Sequence, residues 1–184
     1  RVDPSFYRYN DVGNMYKSDG YSCNQSNCHF NTGMIASGGR WHAWRSMFHI
    51  NYNEVMGKHV VGAWLQMPMA QGYNGAPETR ELWLSWANCF GFNCTGSGRV
   101  SQGSADSQWG RIDMTGTLQE VVNSGQTGAW FMVRGVEQGY KTYKPFYEMH
   151  IDITYDNPTP VSVPVSPAKG QIVVDTQATL KTTP

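Results

Sequence analysis

Charge is scarce in this 184-residue chain. Asp, Glu, Lys and Arg make up only 15% of it, and 14 basic residues face 14 acidic ones. That even balance argues against two functions that need a surplus of cations. A general nucleic-acid binder neutralises phosphates with clustered Lys and Arg, and a polybasic membrane anchor does the same with lipid headgroups. Long hydrophobic runs are also lacking. No stretch nears the roughly 20 apolar residues that span a bilayer, so membrane insertion is not expected. Catalytic motifs are missing as well: there is no Gly-x-Ser-x-Gly elbow, no His-Glu-x-x-His, and no Gly-rich phosphate loop opening a helix. His42 and His49 lie in one strand-like segment but differ in parity, so they cannot line one face together. His150 and Asp152 share parity and are expected as a polar pair on a sheet surface. The sequence therefore points away from an enzyme.

Aromatics and glycine are plentiful, with seven Trp, ten Tyr, seven Phe and 20 Gly. Low charge with many Gly, Ser, Asn and aromatic residues is the mix of a secreted β-protein. The four cysteines form two matched pairs, Cys23-x4-Cys28 and Cys89-x4-Cys94. Two local disulfides, each stapling a short polar loop, are favoured and would imply an oxidising compartment. A four-Cys zinc site and free thiols remain the alternatives. The opening Arg1-Val2-Asp3-Pro4 reads as the start of a mature or excised fragment.

Alternation of apolar and polar residues predicts strands. Residues 1–39 suggest one or two short strands between long loops. In RWHAWRSMFHINY, Trp44, Ser46, Phe48 and Ile50 share one parity, and Trp41, Ala43, Arg45, Met47 and His49 the other. A turn at Asn53–Lys58 leads to a strand whose Val61, Ala63, Leu65 and Met67 share a face. AQGYNGAPET is a loop by composition. Leu82, Leu84 and Trp86 alternate in the next strand. A Cys-closed loop and a long Gly/Ser stretch, GSGRVSQGSADSQWG, follow. RIDMTGTLQEVVNSG is the one helix candidate, with Thr115 or Thr117 as its cap and Leu118, Val121 and Val122 as its apolar stripe. GAWFMVRGV and YEMHIDITYD close the set. The expected fold is an all-β antiparallel sandwich of the jelly-roll kind with one short helical crossing. It should occupy residues 1–156. A Pro-rich linker would follow at 157–167, and the start of a second, incomplete Ig-like or fibronectin-like β-domain at 168–184.

The order of these elements resembles DNRLRE-type domains. The resemblance rests on RSMFHINYNEVMGKHVVGAWLQM, with its Arg-led strand, Gly-Lys turn and Val-x-x-Ala-x-Leu strand, and on ELWLSW, GRIDMTGTLQEVV, GAWFMVRG and TYKPFYEMHIDITYDNPTP. It covers about residues 30–157 and is similar to copies in large secreted actinobacterial proteins, often with RHS repeats or laminin-G-like modules. It implies a carbohydrate-binding-module-like jelly roll in an extracellular multidomain protein. The two Cys-x4-Cys loops fall outside that pattern.

Sugar binding needs flat aromatic faces for pyranose rings and polar groups for hydroxyls. The candidates are aromatics in segments that read as loops: Trp109, Tyr73, Tyr140 and Tyr143. The remaining Trp residues sit in strands and are expected mostly in the core. No cofactor is expected, though the loop oxygens of Asp11, Asn14, Asp19, Asp106 and Asp113 leave room for a structural calcium. Asp113 reads better as a cap of the helical crossing. The functional expectation is a non-catalytic surface module acting in adhesion or presentation, its partners polysaccharide and neighbouring domains of the parent chain. The alternatives are a purely structural cap or spacer, and a fragment of a polysaccharide-degrading enzyme.

Overall fold

The computed structural model describes residues 3–157. The second β-domain expected at 168–184, and all of the expected linker but Asn157, lie outside the described residues. Twelve strands, one α-helix and a 3-10 turn at Asn53–Val55 are present among them: β1 (Ser5–Tyr9), β2 (Val12–Lys17), β3 (Ser22–Asn24), β4 (Phe30–Ser37), β5 (Arg40–Asn51), β6 (His59–Pro68), β7 (Arg80–Ala87), β8 (Ser97–Ala105), β9 (Trp109–Asp113), α1 (Thr115–Asn123), β10 (Gly128–Gly135), β11 (Lys144–Phe146) and β12 (His150–Asp156). The N-terminal region holds four strands rather than one or two.

All pairings are antiparallel, in the order β1-β12-β6-β9-β8-β7-β10-β5-β2-β3, with β4 pairing β5 and β11. β1 and β2 stand near opposite ends of that order, yet only Asn10 and Asp11 separate them. The Asn10 amide donates to Met149 O at 3.1 Å, and the Asp11 amide donates to His49 O at 2.9 Å. The sheet therefore curls until its two halves face each other, and the chain is an all-β, jelly-roll-like sandwich. β1, β12, β6 and β9 form one layer; β7, β10, β5, β2 and β3 form the other; β8 makes the bend.

Strand alternation decides what lies between the layers. Leu65 sits opposite Ile151 across β6 and β12, and Phe48 opposite Phe131 across β5 and β10. All four are fully buried, and the two Phe rings stack at 5.6 Å. Each such side chain contributes about 1.5–3 kcal/mol on leaving water. Helix α1 closes the bend with Leu118, Val121 and Val122 buried against the same core.

Three expectations need correction. Val61 is exposed and Val60 is buried, because the β12 register jumps from Thr154↔Gly62 to Tyr155↔Val60 and leaves Val61 as a bulge. The Gly/Ser stretch holds β8 and β9. Its inward residues, Ser101, Gly103 and Ala105, are small because strand and helix press close there. A Cβ on Gly103 would lie 2.0 Å from Arg111 O. Thr117 does not cap α1. It is buried and bonds Ser101 Oγ at 2.8 Å, while Asp113 accepts from the Thr115 amide at 3.0 Å and so holds the helix start. That leaves the Asp113 expectation standing.

Candidate functional site

The two outer faces of the sandwich differ. On the β5–β10–β7 layer, the loop closed by Cys89–Cys94 folds over the outside. Cys94 is buried with Met47, Ala87 and Met132, and Tyr16 and Trp130 pack around them. Arg45 locks the loop down. Its Nε and Nη2 donate to the Glu137 carboxylate at 2.7 and 2.8 Å, and its Nη1 donates to Phe92 O at 2.6 Å. The second disulfide, Cys23–Cys28, braces the loop after β3. Both bridges match the local pairing expected.

Among the described residues, the outer face of the β1–β12–β6–β9 layer carries no such cover. The register builds two rows across it. One runs Tyr9, His150, Gln66, Arg111, and the other Tyr7, Asp152, Trp64, Asp113. Trp109 stands at the corner, beside Pro68. Tyr7, Tyr9 and Trp64 are about half exposed. Three strand steps separate β1 from β9, so the aromatic span is about 14 Å. His150 is the hub. It is 4% exposed, stacked under Tyr7 at 4.5 Å, and met edge-on by Tyr9 at 5.7 Å and Trp109 at 6.4 Å. Burial pushes its pKa down, against the opposing pull of Asp152 and Glu148. Its Nδ1 has no hydrogen-bond partner, with the Glu148 carboxylate 3.7 Å away. Gln66 donates to Asp152, and the Arg111 guanidinium lies 5.8 Å from the Trp109 ring.

Trp109 also borders a cleft of about 510 Å³ at the end of the sandwich, between loop residues 69–77 and Ser107–Trp109. Two features shape it. Asp106 Oδ1 accepts from the amides of Gln108 at 2.6 Å and Trp109 at 2.7 Å. These amides hold the Asp106 carboxyl below its usual range. They also fix the turn that presents Trp109. Beneath, fully buried Lys144 donates to Ala76 O and to Asp106 O, each at 2.7 Å, and so ties both walls of the cleft together. Burial pushes the Lys144 pKa down.

Of the expected site residues, the structure brings Trp109 and Tyr73 to this cleft. Trp109 opens strand β9 rather than lying in a loop. Tyr140 is exposed elsewhere, with the Arg80 guanidinium 5.4 Å from its ring. Tyr143 is no platform. It is buried and its hydroxyl donates to Asn31 Oδ1 at 2.7 Å. Burial raises its pKa to about 12. None of the seven Trp is fully buried; Trp44 and Trp86 face inward and pack against the core as expected, Trp130 packs against the small cluster under the Cys89–Cys94 loop, and Trp41 and Trp64 are exposed. The sheet-face residues Tyr7, Tyr9, Trp64, Gln66 and Arg111 were missed. Parity carried that signal, since Tyr7 and Tyr9 share a face in SFYRYN.

The five candidate calcium oxygens do not converge. Asp11 contacts His49 at 2.9 Å, Asp19 contacts Lys17 at 2.7 Å, and Asp106 and Asp113 cap turns. Asn14 lies in β2, lining a separate pocket with Tyr16 and Tyr21. Among the described residues, no three His, Cys, Asp or Glu side chains group as metal ligands, and no helix is long and apolar enough to cross a membrane. No protein-family model matches this chain, and no curated protein matches its sequence.

Proposed function

We propose that this chain is a non-catalytic extracellular module of a secreted modular surface protein. It binds polysaccharide on the uncovered sheet face and acts in adhesion or in presenting neighbouring domains. One observation carries the reading. Of two outer faces, one carries a disulfide-closed loop, and the other, among the described residues, has no such loop and arrays Tyr7, Tyr9, Trp64 and Trp109 around hydrogen-bonding side chains. Aromatic faces cover the apolar sides of pyranose rings, and Gln66, Arg111 and Asp152 are suited to sugar hydroxyls. Exposed aromatics at such density would otherwise be an aggregation liability. The two disulfides fit an oxidising compartment. The likeness of residues 30–157 to DNRLRE-type jelly rolls favours the same role.

Affinity electrophoresis through gels cast with soluble polysaccharides tests this. Wild type is retarded by at least one polymer, and Trp64→Ala and Trp109→Ala restore free migration with melting curves intact. Unchanged retardation in both variants overturns the reading.

A further inference from the structure

Beyond the sheet face, a second groove of about 350 Å³ lies under the Cys23–Cys28 loop. We infer that it is a subsite for a sugar bearing a free, protonated amine, a deacetylated hexosamine unit of the polysaccharide. The inference deepens the carbohydrate-binding reading and rests on it.

Three observations meet there. First, the groove is walled by aromatic rings. His29 stands edge-on to Tyr73 at 4.3 Å and faces Tyr147 at 6.0 Å, and both tyrosines are more than half exposed. Second, among the described residues Glu148 is the only carboxylate lining it, no Lys or Arg lines it, and His29 is its one imidazole. Among the described residues, the basic group that Glu148 approaches is the buried His150 ring, 3.7 Å away, whose burial disfavours the charged form. At a pH where the His29 imidazole is neutral, a carboxylate beside aromatic faces, with no Lys or Arg in the same groove, is a local field that attracts an ammonium group. A uronate would meet repulsion. Third, the remaining wall is Gln25, Ser26 and Asn27, held in shape by the disulfide. Their amides and hydroxyl suit sugar hydroxyls rather than an aliphatic lysine stem, which favours an amino sugar over a basic peptide. Tyr73 lines both this groove and the Trp109 cleft, so one chain can run from the sheet face into it.

The test is calorimetry on the whole chain at about pH 7, above the ordinary imidazole range so that His29 does not compete, with fully deacetylated and fully N-acetylated glucosamine hexamers as probes and an oligolysine of matched charge as a third. Wild type favours the deacetylated hexamer about tenfold, as an ammonium–carboxylate contact with cation–π support implies. Glu148→Gln brings the two hexamers within about twofold. Tyr147→Leu, at an exposed position, lowers the preference independently and keeps the test valid if Glu148→Gln disturbs His150. Equal binding of both hexamers by wild type overturns the inference while leaving the carbohydrate reading intact. Oligolysine binding as tight as the deacetylated hexamer also overturns it, in favour of a peptide ligand. Failure of every sugar to bind sinks the broader reading first.

Discussion

Trp109 meets His150 edge-on at 6.4 Å and 78°, although their strands are separated by β6. One indole thereby belongs both to the open sheet face and to the end cleft. Trp109→Ala should weaken polysaccharide binding at least about tenfold, and Trp109→Phe should recover part of that, since a smaller ring still stacks. Trp109 is only partly buried, so the melting temperature should hold. Titration calorimetry beside a melting curve separates the two effects.

Lys144 joins the cleft walls through two carbonyls. Replacing it with Met keeps the volume but leaves Ala76 O and Asp106 O without a donor. Lys144→Met should cost about 3 kcal/mol in urea unfolding. It should also loosen the turn that presents Trp109, so binding falls even at temperatures where the variant is folded.

His150 ties stability to pH. Its folded pKa lies below the ordinary value because the ring is buried. As pH falls below about 6.5, the unfolded chain takes up the proton before the folded chain does, so stability drops. Above that pH the contribution is fully present. His150→Phe keeps a ring under Tyr7 and should flatten the decline between pH 6.5 and the folded pKa. Chemical denaturation at a series of pH values reads this directly, and an unchanged slope would rule out His150 as the source.

The Cys89–Cys94 bridge closes a short loop over the second layer. The Cys89→Ser, Cys94→Ser double variant should lose about 2 kcal/mol, the entropy of a loop that short. Polysaccharide affinity should be unchanged, because the loop covers the opposite face. A matching loss of affinity would place the binding surface there instead.

The fold was legible where alternation is strong. Phe48, Ile50, Leu65, Phe131 and Ile153 could be assigned to the core from parity alone, because a half-buried strand imposes a period of two. β8 was not legible. The residues it turns inward are Ser101, Gly103 and Ala105, and smallness, which lets Ser101 meet Thr117 of α1 and Gly103 press against β9, makes them read as a loop. Val61 was misplaced because a bulge shifts parity without a local signature. The site was half legible for a related reason. Loop composition singled out Trp109 and Tyr73. Finding Trp64, Tyr7 and Tyr9 beside them required knowing which strands pair, and the β1–β12–β6 order depends on contacts far apart in sequence.

The peptide between Asn10 and Asp11 works as a suture. Adjacent amides grip opposite layers, so neither half of the sandwich slides without tearing one seam. The aromatic platform therefore keeps its curvature whether or not anything rests on it. Under the proposed function, a carbohydrate chain arriving there would meet a surface already shaped, and little of the association energy would be lost to ordering the protein.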